Sequence, residues 1–368
     1  MNVVVMGVGF CGSFPASGGL SYREMIARAA AMAYEDAGIQ AEQLDGAVSV
    51  EEDFVSGYSI ADEYVPDQLG VQKKSVYTIT GDYLHGICSA AMQIKTGRYK
   101  LLAVQSYAKA SNIMNKDELL HFAFDPVFNR MNLSPHYLAG LEMQHFLNCS
   151  HHCAADVAKI VVENRGKALR NPLAPYGAEG DPRAVLAGRP VAEPVTDSMF
   201  ARHADGSVVA VLATEDVADT CRKPVFLSGT GWSSGSSVLE RRDHSVSEGT
   251  ALAGRMAYEE AEVGAPAEEI DVAYVSDLYA HRQLMHLAAL RLCCRDELMV
   301  NPDGGSLGMG DLIEANGGVR FYDAVRQLRG EAGAHQVEDA ERAVVQGWRG
   351  LPTDSCAVAI LDAERRLA

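Results

Sequence analysis

The stretch Asn301–Gly318, NPDGGSLGMGDLIEANGG, decides how this chain is read. Six of its eighteen residues are glycine, yet it lies between two segments that read as regular structure. Glycine at that density means a backbone that takes φ > 0 or comes very close to something else. A helix is expected directly after it, over Val319–Arg329. Backbone N–H groups at a glycine loop entering a helix can hold an anion or an oxyanion. Asp303, Asp311 and Glu314 are the only charged side chains inside the stretch. The competing reading is a long glycine-rich surface turn.

Composition limits what such a loop can serve. The chain has 368 residues, 48% of them hydrophobic, which suits two domains or one large duplicated one. No run approaches the roughly 18 apolar residues of a membrane span. The start, MNVVVMGVGF, lacks a basic segment and reads as a first strand rather than a signal peptide. A net charge of −17 repels a phosphate backbone, so no nucleic-acid partner is expected. The eight cysteines are scattered, which points to a reduced, cytoplasmic compartment. The tightest cluster, Cys149-Ser-His-His-Cys153, has no second cluster to complete four ligands, so no metal is expected. It reads instead as a loop before a helix, Ala154–Arg165.

Working outward, Val3–Met6 reads as a buried strand. Gly7-Val-Gly9-Phe-Cys-Gly12 then matches G-x-G-x-x-G. In a dinucleotide site a helix opens directly off that turn. Here Ser13–Gly19 intervenes, so no nicotinamide is expected. Tyr22–Ala37 has helical apolar spacing at Met25, Ile26, Ala29, Ala30 and Ala33, with Gly38 as its stop. Leu44–Val50 reads as a strand. The text Met32-Ala-Tyr-Glu-Asp-Ala37…Ala41-Glu-Gln-Leu-Asp45 returns as Met256-Ala-Tyr-Glu-Glu-Ala261…Ala267-Glu-Glu-Ile-Asp271. That is an internal duplication of a helix–turn–strand unit, and it implies two similar α/β halves. A helix over Asp82–Thr96 and strands over Lys100–Gln105, Asp205–Thr214, Lys223–Ser228 and Ser355–Leu361 complete the outline. Ser111–Val195 reads as a helical insertion that caps the core. Within it, His121–Arg130 is rich in aromatics and reads as a core cluster or an apolar pocket.

These residues resemble the thiolase superfamily, in particular its sterol-carrier-protein-type branch. The resemblance rests on Gly188-Arg-Pro-Val-Ala-Glu-Pro194 with Asp205-Gly-Ser-Val-Val-Ala-Val-Leu212, on Gly97–Ser111, and on Asn301-Pro-Asp-Gly-Gly305 with Gly317 and Gln327-Leu-Arg-Gly330. It implies a five-layer αβαβα sandwich of two halves, about 1–222 and 223–368, with the insertion at about 111–195. It further implies a homodimer, coenzyme A bound as an acyl-CoA substrate, and an active site between the halves.

The family's chemistry is less well represented. Its nucleophilic cysteine falls near Thr80, in Thr80-Gly-Asp82-Tyr83-Leu-His85-Gly-Ile-Cys88. Its histidine falls on Asp311, its Asn-Glu-Ala-Phe segment on Ser276–Tyr279, and its second cysteine near Gly350. Acyl transfer through a thioester intermediate needs an activated sulfur. An enzyme that only stabilises an acyl-CoA enolate does not, and retro-aldol cleavage is such a reaction. Steroid side-chain aldolases of this superfamily share the missing cysteine and work with a small partner bearing an OB-fold and zinc ribbon. The candidate catalytic residues are Asp311, Tyr279, Asp82, His85 and Cys88. The candidate CoA-cradling residues are Gly304, Gly305, Gly308, Gly310, Asn316 and Gly317. Beside retro-aldol cleavage stand an altered retro-Claisen or acyl-transfer route on the same acyl-CoA substrate, a non-catalytic scaffold subunit, and a true thiolase using Cys88.

Overall fold

A computed structural model describes residues 2–52, 61–112, 124–125, 127, 131, 133–218, 221–236, 238–293 and 298–365. The first five long strands are β1 (Val3–Phe14), β2 (Gly46–Val50), β3 (Ser75–Ile79), β4 (Leu101–Lys109) and, after the hairpin β5 (Pro190–Ala192) and β6 (Val195–Thr196), β7 (Asp205–Thr214). The next five are β8 (Val225–Ser233), β9 (Val272–Tyr274), β10 (Met299–Val300), β11 (Arg342–Trp348) and β12 (Cys356–Asp362). Each set takes the same spatial order, third-second-fourth-fifth-first: β3-β2-β4-β7-β1 and β10-β9-β11-β12-β8. The duplication seen in the text is therefore a duplication of topology. The two half-sheets join where Val3, Val4 and Val5 of β1 pair with Leu227, Phe226 and Val225 of β8.

Helices fill the spaces this leaves. α1 (Tyr22–Ala37) starts at Ser21, whose side chain accepts from Glu24 N in a capping box, and stops at Gly38 with φ 68. It packs on β1 and β7. α2 (Tyr83–Lys95) touches strands of both half-sheets. The insertion supplies α3 (Pro135–Cys149) and α4 (Ala154–Ala168). α5 (Glu248–Glu260) packs on β8 and β12, and α6 (Ala280–Ala289) packs against α4 and α5. The glycine-rich stretch forms the short α7 (Gly305–Met309), and α8 (Asn316–Leu328) follows, three residues earlier than expected. Between the two half-sheets, α2 and α8 make the middle layer; α1 and α5 make the outer ones. These are the five layers. The central apolar core draws Val48, Val104 and Leu212 from one half, Val345, Ala359 and Leu361 from the other, and Ile87 and Phe321 from the helices between.

Gly7 and Gly9 gain a physical role here. A Cβ on Gly7 would lie 2.3 Å from Ala33 O, and one on Gly9 2.1 Å from Ala29 O. The second half repeats this: Gly229 and Gly231 would each meet a carbonyl of α5, Ala257 O and Ala253 O, at 2.1 Å. The G-x-G motif lets an outer helix lie against its first strand, once in each half.

Candidate functional site

The carboxyl ends of β2, β3 and β11 open into one gap between the halves, where open α/β sheets place their ligands. Its cavity of about 380 Å³ is lined from the first half by Glu52, Thr80, Gly81 and His85, and from the second by Arg349, Asp354 and Ser355. His85 sits in the first turn of α2. Its Nδ1 lies 3.1 Å from Asp82 O and its Nε2 3.5 Å from Ser355 Oγ. A carbonyl only accepts, so Nδ1 carries the hydrogen and Nε2 is left as an acceptor beside another wall residue. Burial lowers the His85 pKa, against the pull of the Asp82 charge, so the ring is a neutral base at pH 7. Arg349 pairs with Glu52 across the wall. Burial raises the Asp354 pKa, opposed by Arg282.

Asp82 lies behind this surface. It is 0% exposed and caps α2 through Leu84 N at 3.0 Å. Its other oxygen accepts from Gly317 N at 2.9 Å, with Arg320 Nη2 3.7 Å away. A Cβ on Gly317 would sit 1.9 Å from Asp82 Oδ1, and one on Gly347 2.0 Å. Asp82 thus pins the starts of α2 and α8 together.

The glycine-rich stretch corrects the expectation that its N–H groups face a ligand, because the protein itself uses them. Gly304 N donates to Asn301 O, Gly305 N to Asp303, Gly308 N to Gly304 O and Gly310 N to Ser306 O. The open end of α7 is occupied by the buried carboxylate of Asp277, which accepts from Ser306 N and Leu307 N. A Cβ on Gly305 would meet Asp277 Oδ2 at 2.3 Å; those on Gly304 and Gly308 would meet Ala168 Cβ at 2.5 Å. The stretch is a packed joint rather than an exposed turn. Asp311 Oδ1 accepts from Asn316 Nδ2 at 2.8 Å and from Ile313 N at 3.0 Å, holding Ile313 at φ 54. The segment 199–204 links two of the candidates: Phe200 bridges Tyr279 and His203 bridges Asp311. The three steps from Phe200 to His203 span at most about 10 Å. Tyr279 Oη lies 3.1 Å from His136 Nδ1 in an aromatic group with Phe200. Neither Asp311 nor Tyr279 is among the residues lining the 380 Å³ cavity.

A family model described as "Thiolase C-terminal domain-like" matches residues 230–363. The acetyl-CoA acetyltransferase of Methanothermobacter thermautotrophicus is 25% identical over 88% of this chain and 90% of its own length. The benzoylsuccinyl-CoA thiolase subunit BbsB of Thauera aromatica is 28% identical over 51% of this chain, and the match spans only about half, 53%, of that subunit. Among solved structures, an "Ltp2-ChsH2(DUF35) aldolase" superposes over 100% of this chain and 99% of that one, with TM-score 0.84 and 19% identity. The monomeric SCP2-thiolase-like protein type 1 of Mycobacterium smegmatis gives TM-score 0.77 at 16% identity, over 100% of this chain and 78% of that one. The chain is thiolase-like in fold, and its C-terminal part matches the thiolase C-terminal model.

In this thiolase-like frame no cysteine is among the described residues that line the cavity. Cys88 is 1% exposed, its Sγ 3.8 Å from Gly231 O, and burial pushes its pKa up to about 12. Cys356 is likewise buried against Thr250 and pushed up to about 12. At that pKa the nucleophilic thiolate is scarcely populated near neutrality. Of the aromatic stretch His121–Arg130, only Phe124, Asp125 and Val127 lie within the described residues; Phe124 and Asp125 border the cavity. Sequence reasoning missed Glu52, Asp354, Ser355 and the cap Asp277. Only Asp277 left a signal: an acid just past a strand, facing a glycine-led helix that needs a cap.

Proposed function

We propose that this chain cleaves a β-hydroxyacyl-CoA by retro-aldol chemistry, without a cysteine nucleophile. One observation carries the reading: the gap at the amino end of α2 is lined by His85, whose Nδ1 is held at Asp82 O, and no thiol is among its described lining residues. His85 Nε2 takes the β-hydroxyl proton. The Cα–Cβ bond breaks, its electron pair passes into the thioester enolate, and an aldehyde or ketone leaves. The enolate carbon then takes a proton to give the shorter acyl-CoA. In this reading Asp82 and Asp311 position the helix starts, and Tyr279 orders the wall beneath the insertion. The relatives named for CoA thioesters, and the aldolase whose name joins Ltp2 to ChsH2(DUF35), support an acyl-CoA substrate and a partner chain; that the partner carries a zinc ribbon and OB-fold is part of the same proposal. A homodimer is part of the same proposal.

A second reading, a non-catalytic scaffold subunit, is favoured by one fact: Asp82, Asp311 and the N–H groups of the glycine-rich stretch are all engaged inside the protein. The two separate in one assay. The purified chain, alone and with a candidate ribbon partner, is incubated with a bulky β-hydroxyacyl-CoA and followed by mass spectrometry. Paired carbonyl and shortened acyl-CoA products that vanish in His85→Gln support the aldolase. A stable complex without products supports the scaffold.

A further inference from the structure

Beside the 380 Å³ cavity lies a second of about 40 Å³, and Gly235, Arg242 and Asp354 belong to the walls of both. Arg282 lines the smaller one. Its guanidinium is 3% exposed and lies over the Trp348 ring, 4.0 Å from the centroid. Nε and Nη2 donate to the buried carboxylate of Glu142, which also holds His281. The remaining nitrogen, Nη1, is buried and has no hydrogen-bond partner. The nearby Asp354 Oδ1 stands 3.9 Å from it, beyond hydrogen-bond reach. Arg242 spends Nε on Ser236 O at 2.6 Å, and among the described residues its two Nη nitrogens make no hydrogen bond or ion pair.

A buried guanidinium N–H without an acceptor costs free energy, and it is a strong donor to any oxyanion that reaches it. Glu142 is already committed, and Asp354 is held by Gly249 N at 3.1 Å. At this junction Arg242 and Arg282, both incompletely paired, thus share the wall of the smaller void with Arg241 and with the carboxylates of Glu142, Asp243, Glu248 and Asp354. The smaller void is close to the volume of one or two waters, the scale of a carboxylate. We infer that this junction binds an anionic oxygen group of the substrate, gripped by Arg242 and by Nη1 of Arg282. The group is a carboxylate on the acyl end or a phosphate on the coenzyme end. This inference rests on the acyl-CoA reading above.

The test is isothermal titration of the full-length chain and its Arg242→Gln variant with succinyl-CoA, butyryl-CoA and free CoA. Arg242 is only half-buried and holds no carboxylate, so the variant should fold; replacing Arg282 would strand the Glu142 charge. Succinyl-CoA is expected to bind the native chain about tenfold more tightly than butyryl-CoA, and the variant to lose that preference. This result assigns the junction to an acyl carboxylate. Equal weakening of all three ligands in the variant assigns it to a phosphate. If all three bind both proteins equally well, the junction is not an anion subsite, while the acyl-CoA reading survives. If none binds the native chain, the acyl-CoA reading falls and takes this inference with it.

Discussion

α2 and α8 occupy equivalent places in the two halves, but their amino ends have opposite fates. At α8 the start is taken up inside the protein: Gly317 N goes to Asp82, the Asn316 amide to Asp311, and Gly318 packs against Val208 and Tyr83. At α2 the cap is also filled, yet one turn on His85 offers a ring nitrogen to a 380 Å³ gap. Duplication made two similar helix starts; one became a joint, and in the proposed reading the other is the working face. Satisfied polar groups mark architecture, and those left with capacity mark chemistry.

The comparison breaks most visibly at the joint. Asp82→Ala leaves Arg320, 1% exposed, without its carboxylate and strands Gly317 N. Removing one partner of a buried ion pair costs about 3–5 kcal/mol. Urea denaturation should show a loss of that size, with any fall in activity following the unfolded fraction. A fully stable, inactive Asp82→Ala would move Asp82 from the joint to the chemistry. At the working face the pattern reverses. His85→Gln should lower turnover about 10²–10³-fold, the usual contribution of a general base, while shifting stability by under about 1 kcal/mol. Unchanged turnover would leave His85 as wall only.

Much of this division is legible in the text, but unevenly. α1 can be read to its ends, because Ser21, Glu24 and Gly38 are local signals acting within a few residues. The duplication is legible because each copy must bury the same helix face on the same strand. The glycine-rich stretch is legible as a place of close approach but not in what approaches it. Glycine density is the same whether the neighbour is a phosphate, Asp277 or Ala168. The cavity wall is the least legible part. Glu52, His85, Arg242 and Asp354 come from four distant segments, and only the completed topology brings them together. Asp311 stands where the family keeps a histidine, so it reads as chemistry; its hydrogen bonds to Asn316 and Ile313 show it holding a loop.

A smaller effect sharpens the His85 assignment. Turnover needs the neutral ring, and burial lowers the His85 pKa from an ordinary value of about 6.5. The base form therefore persists to lower pH than in a free histidine. Activity should be flat above pH 7 and fall only as pH drops below about 6.5. A pH–rate profile whose acid limb lies above that value would contradict a buried neutral base.

The smallest expected effect separates cysteine from cysteine-free chemistry. Cys88 lies two turns into α2, with its thiol pushed up to about 12 and packed between the half-sheets. Cys149, Cys153 and Cys293 are exposed. Iodoacetamide on the folded chain should modify the exposed thiols and spare Cys88. Cys88→Ala should keep turnover within about twofold and cost only about 1–2 kcal/mol, since it removes one small buried group. Rapid alkylation of Cys88 with matching loss of turnover would require a thiolate that this packing does not supply. The amino end of α2 would then be activating sulfur rather than holding an imidazole. A spared Cys88 beside an active Cys88→Ala leaves the carbon–carbon bond chemistry to the His85 face, where the two helix starts differ.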